Sequence, residues 1–161
     1  MAKKVYLGVR SEPAFFTLLG ISCHLRDYRL SYLLNLHLGF SFVKRDDLKI
    51  TASSNQGEAA FSFYSYRDEE RFNSYYLIGN RSESFTLVPE MKQFDFLLFV
   101  EGRFNKPEKD ALMKTIIKLP SILTVFETNV TEFKNFENLL TDLEIHTMNV
   151  NKSPQIKYQP K

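Results

Sequence analysis

The sequence predicts an α+β fold: a mainly antiparallel sheet with two main helices on one face, in a ferredoxin-like arrangement with an added hairpin. Three observations predict it. Short segments alternate apolar and polar residues with a period of two. Two longer stretches carry helical spacing and helix end signals. Their order is strand–helix–four strands–helix–strand, so two strand–helix–strand crossovers flank an antiparallel meander.

The first strand is expected over 14–22 (AFFTLLGIS), where continuous apolar character suits a strand covered on both faces. Residues 25–38 are Leu-rich and free of proline, and Gly39 is a natural helix stop. Strands follow at 40–45, 59–66 and 72–78. In the last two, Phe61 and Phe63 oppose Tyr64 and Tyr66, while Phe72, Tyr76 and Ile78 share a face. Arg67-Asp68-Glu69-Glu70 reads as a charged hairpin connection, and 46–58 as a mobile loop. The next strand spans 93–101. Asn105 and Glu108 have capping-box spacing and open a helix carrying Leu112, Ile116 and Leu119, which Pro120 stops. A last strand covers 122–126, and 131–140 forms a short amphipathic helix with Phe133, Phe136 and Leu140. One domain over 1–142 and a disordered tail over 143–161 complete the expected organisation.

Composition bounds the function classes. A net charge of +2 is too small an excess to mark a nucleic-acid or membrane surface. No apolar run approaches the roughly 18 residues of a membrane span. A single cysteine, Cys23, excludes an internal disulfide and fits a reducing, cytoplasmic compartment. A lipoprotein-type signal ending at Cys23 is opposed by Arg10, Glu12 and Pro13, by the short apolar run and by Gly20. In that compartment the glycosylation patterns at Asn80-Arg81-Ser82 and Asn129-Val130-Thr131 are chance matches.

Val88-Pro89-Glu90 to Phe94-Asp95-Phe96 is the segment most suggestive of a site, because a rigid proline corner holds two carboxylates at the mouth of an apolar run. Asp95, on a strand face with Leu97, Phe99 and Glu101, calls for a guanidinium from Arg81 or Arg29. Such an ion pair ties the fold together and lowers the carboxyl pKa. Acid–base catalysis by Glu90 and Asp95 needs instead an open cleft and one raised pKa.

His24, Asp27, Ser31 and Asn35 form a narrow polar stripe along the first helix. It is either a strip facing water or the polar wall of a crevice, with His24 and Asp27 within hydrogen-bonding reach of each other. Cys23-His24 is read as a buried, inert cysteine beside a histidine that points elsewhere. The three histidines are scattered and no metal-ligand spacing occurs, so no metal and no cofactor are expected. No phosphate-binding glycine loop is present. Leu38-Gly39-Phe40-Ser41-Phe42-Val43-Lys44-Arg45 imitates an RNA-recognition signature. It lacks the leading basic residue, the second glycine and the final aromatic, so Phe40 and Phe42 are expected to pack in the core.

The corner resembles the signature of the IPExxxVDY family, small bacterial proteins of the Bacteroidetes group. Pro89, Glu90 and Asp95 match identically, and Val88, Phe94 and Phe96 are apolar or aromatic replacements. Gly20-Ile21-Ser22, His24 to Leu30 and Asn80 to Glu83 are similar as well, so the resemblance runs from about Ala14 to Phe126. It implies a bacterial protein, and no activity, cofactor or catalytic residue.

Three functions remain open on these grounds. A non-catalytic module that binds a protein partner or pairs with itself, as a homodimer, follows if Tyr64, Tyr66 or Tyr75 lies uncovered on the sheet. A sensor of a small anionic ligand would use Arg29 and Arg81 for the anion and His24, Asp27 or Glu90 for its polar end. An enzyme would use Glu90 and Asp95.

Overall fold

A computed structural model describes residues 16–51, 57–129, 133 and 136–152. The elements are β1 (Phe16–Cys23), α1 (Asp27–Leu38), β2 (Val43–Thr51), β3 (Glu58–Asp68), β4 (Asn73–Gly79), a 3-10 turn (Pro89–Met91), β5 (Phe96–Glu101), α2 (Lys106–Ile117), β6 (Ile122–Thr128) and α3 (Phe136–Lys152). The six strands form one antiparallel sheet in the order β2-β3-β4-β5-β1-β6. Without β2 and β3, the chain order is βαββαβ and the sheet order β4-β5-β1-β6, the ferredoxin-like pattern. The added hairpin is β2–β3, extending the sheet beyond β4.

Both faces of the sheet are covered, which explains the unbroken apolar character of β1. On one face Leu19, Ile21, Leu77, Leu98 and Val100 pack under Leu30, Leu33 and Leu34 of α1 and Leu112 and Ile116 of α2. On the other, Leu18, Phe61, Phe63, Leu97 and Phe99 pack with Phe136 and Leu143 of α3. The ends of α1 and α2 follow their sequence signals. Gly39 takes φ 70° and its N–H donates to the Asn35 carbonyl. Asn105 and Glu108 form the reciprocal capping box, with bonds of 2.9 and 3.0 Å.

Four expectations are corrected. The strand expected at 40–45 begins at Val43 and runs to Thr51, through half of the expected loop; positions 52–56 lie outside the described residues. A bulge between Arg45 and Leu48 absorbs the acidic pair Asp46-Asp47 and returns Leu48 to the core, so the charges do not end the strand. The same bulge and charges make β2 a protected sheet edge. Phe72 leaves its expected face, because it sits in the β3–β4 turn at φ 58° with its ring exposed.

Phe94 also changes face. It precedes β5, so strand alternation does not reach it, and it joins Leu97 and Phe99 rather than Phe96 and Leu98. Finally, the helix expected at 131–140 is described from Phe136 as α3, which continues to Lys152 across the start of the expected tail; 131–132 and 134–135 lie outside the described residues. Leu143 is buried in the second core, and the His146 Nε2 lies 2.9 Å from the Asp46 carbonyl, anchoring the helix over β2. Positions 153–161 lie outside the described residues. No described helix is long and apolar enough to cross a membrane.

Candidate functional site

The proline corner is built around a residue whose structural role no sequence pattern marks. Asn80, just past β4, is completely buried. Its Nδ2 donates to the carbonyls of Met91 (2.9 Å) and Phe94 (3.0 Å), and its Oδ1 accepts the Val88 N–H at 2.9 Å. Its backbone adds two more bonds, from its N–H to the Asp95 carbonyl and from the Leu87 N–H to its own carbonyl. One side chain thus supplies the partners that a non-repetitive loop denies its own backbone. Pro89 opens the 3-10 turn that the asparagine cradles.

Asp95 is held from two sides. Its Oδ1 lies 3.0 Å from Arg81 Nε, and its Oδ2 accepts the Cys23 N–H at 2.9 Å. The guanidinium therefore meets one carboxylate oxygen through Nε and not as a two-pronged fork. The second oxygen ties the β5 entrance to the end of β1. Burial pushes the Cys23 thiol up, and the negative charge of Asp95 adds to the shift.

Glu90 is exposed and makes no hydrogen bond or ion pair among the described residues. Arg29 is exposed on α1. His24 is exposed too, with its backbone N–H on the Ser121 carbonyl.

Three of the six sequence candidates meet. Asp27, Arg81 and Asp95 line a cleft of about 370 Å³ at the start of α1, floored by Ser62 and Gly79. Glu90, Arg29 and His24 do not line it. Two arginines (Arg26 and Arg81) face two aspartates there, so the cleft carries no surplus charge of either sign for a charged ligand. With both Asp95 oxygens engaged and Glu90 elsewhere, the corner has the geometry of a clamp. No group of three or more His, Cys, Asp or Glu capable of holding a metal occurs among the described residues.

The polar stripe of α1 turns inward. Asp27 accepts the Tyr64 hydroxyl at 3.1 Å, Ser31 is buried, and the Asn35 amide exchanges two bonds with the Phe42 backbone (2.8 and 3.2 Å). His24 lies before the helix, and Asp27 pairs with tyrosine instead. Among the outward residues of the helix Tyr28, Tyr32 and Leu36, one turn apart, are 63%, 57% and 59% exposed, beside exposed Arg29 and His37. Beneath the helix, Leu30, Leu33 and Leu34 fill the core and the polar stripe lies alongside them.

The expected uncovered tyrosines are also corrected. Tyr75 is buried and Tyr66 half-buried, because the segment after α1 folds back and lays Phe40 and Phe42 over them, and Tyr64 is buried with its hydroxyl on Asp27 of α1.

The buried phenols have a consequence at high pH. Burial, then the bond to Asp27, pushes Tyr64 up to about 12; burial, then the charge of Glu101, does the same for Tyr76. Unfolded tyrosine ionises near 10, so the folded state binds the extra protons between pH 10 and 12. Their stabilisation is complete below pH 10 and is lost as pH rises through 12. We expect on the order of 1 kcal/mol from each after solvent screening. Denaturant melts at stepped alkaline pH check this, and a Tyr64→Phe/Tyr76→Phe variant is expected to flatten the slope.

No family model matches the chain, and no curated protein matches it significantly.

Proposed function

We propose that the protein is a non-catalytic interaction module that pairs with a second copy of itself through the outer face of α1. The carrying observation is the solvent-facing row Tyr28, Tyr32 and Leu36 on a helix whose polar stripe Asp27, Ser31 and Asn35 is used internally. Clustered exposed tyrosines are characteristic of interfaces, where a ring gives large contact area at low entropic cost. The row is centred on Tyr32, so two copies of α1 laid antiparallel across a two-fold axis bring Tyr32 to Tyr32 and Tyr28 to Leu36. The clamp geometry of Asp95 supports the non-catalytic side of this reading. The lone cysteine supports a cytoplasmic setting, and the resemblance to IPExxxVDY proteins supports a bacterial one.

Sedimentation over a range of concentrations tests the proposal. The wild type is expected to show a reversible dimer, and Tyr32→Glu a monomer with the same circular dichroism and a melting temperature that no longer rises with concentration, since the side chain is mostly exposed. A wild type that stays monomeric at every concentration removes the proposal.

A further inference from the structure

The sheet face that packs under α3 changes character toward one end. Along β3, alternation places Phe61, Phe63, Ser65 and Arg67 on that face, so two apolar positions give way to two polar ones. On β2 the buried Leu48 gives way, across the bulge, to Arg45. Register sets Arg45 opposite Phe63 and Arg67 opposite Ser74, so both arginines rise from the same face. They line a cleft of about 620 Å³ between this end of the sheet and the last turns of α3.

Arg45 is the only arginine among the described residues that is not exposed. Its Nε donates to Ser65 Oγ at 3.1 Å, and it has no carboxylate partner among the described residues. Arg67 Nη1 donates to Ser74 Oγ at 2.9 Å; its ion-pair partner Glu69 is 3.9 Å from Nε, on a side chain that is 80% exposed. Each serine thus fixes a guanidinium through one nitrogen. Arg45 keeps both Nη groups, the pair that grips a carboxylate with two parallel bonds. Arg45 and Arg67 against Glu69 leave the lining with one surplus positive charge. Glu101, on β5 at the Tyr76 hydroxyl, does not line the cleft. A half-withdrawn charge without a counter-charge is costly, and a bound anion removes that cost. Beside the arginines, Val43 of β2, Tyr76 of β4 and Val150 of α3 supply apolar surface.

We infer that this cleft binds a small monocarboxylate with an apolar body, its carboxylate forked on the Nη groups of Arg45 beside Arg67 and its carbon body against Val43, Tyr76 and Val150. One negative charge matches the surplus of the lining, and the volume suits a small molecule. Neither arginine belongs to the pair that the sequence marks for an anion, Arg29 and Arg81. Tyr28, Tyr32 and Leu36 do not line the cleft, so this inference stands or falls independently of pairing through α1.

The test is a titration of the full chain with sodium phenylacetate at constant ionic strength, followed by amide chemical shifts. Saturable changes at Arg45, Ser65, Ser74 and Val150 are expected. Arg45→Gln should weaken binding about ten-fold or more. Arg67→Gln, at a more exposed position, should weaken it about three-fold. Phenylacetamide, which has the same shape without the charge, and acetate, which has the charge without the ring, should each bind about ten-fold more weakly. Equal binding of phenylacetamide would overturn the carboxylate, and equal binding of acetate the apolar body. Tighter binding of inorganic phosphate would overturn a carboxylate as the occupant. No saturable change, or one that Arg45→Gln and Arg67→Gln leave intact, would overturn the site.

Discussion

Asn80→Ala is expected to destabilise the protein by about 3–5 kcal/mol, the largest effect of any polar substitution at the corner. The truncation strands three buried backbone groups together: the Val88 N–H and the carbonyls of Met91 and Phe94. Each loses its partner where water cannot replace it, at a cost of roughly 1–3 kcal/mol apiece, less whatever the loop recovers by relaxing. Asn80→Asp separates donor from acceptor. It keeps an oxygen for Val88 but turns a second oxygen toward two carbonyls and buries a charge, so it is expected to be no milder than alanine. Urea unfolding measures both. A loss for Asn80→Ala below about 1 kcal/mol with an unchanged slope would mean that the loop is held by its packing and not by the asparagine.

Gly20→Ala is the second large effect, expected at about 1–3 kcal/mol, with Gly20→Val worse. A β-carbon at Gly20 would stand 2.6 Å from Phe94 Cγ and 2.8 Å from Met91 Cε. Phe94 cannot swing away freely, because its ring stacks on Phe126 at 6.3 Å and its carbonyl is bonded to Asn80. The bare backbone of β1 at this point is therefore the seat of the corner. Phe94→Leu should absorb part of the added methyl, making the double variant less damaged than the sum of the singles. Strict additivity in thermal or urea melts would sink the seat. Both substitutions act on the proline corner while leaving Glu90 untouched, so they separate a clamp from a site.

That Asp95 pairs with an arginine was legible in the sequence, because a carboxylate entering an apolar run must find a cation; the choice of Arg81 over Arg29 was not. The hub was not legible. Asn80 lies in Asn-Arg-Ser, a polar string indistinguishable from a surface turn, and nothing local reveals that the chain returns to it from eight to fourteen positions further on. Nor does any pattern show that Phe94 settles against Gly20. The inward turn of the α1 polar stripe was half legible: the spacing of Asp27, Ser31 and Asn35 defines a stripe, but periodicity has no sign. The direction came from Tyr64 and the Phe42 backbone, two elements distant in sequence that needed polar partners.

By itself the sequence determined the α+β class, the order of elements, the capping of α2 and the glycine stop of α1, because these depend on spacing, backbone freedom and local hydrogen bonds. Tertiary structure alone decided which face of α1 meets water, which carboxylate of the corner is tied down, and how far β2 and α3 run. The physical reason is common to all three. Burial and pairing belong to contacts between distant segments, and a residue's own neighbours in the chain do not specify them.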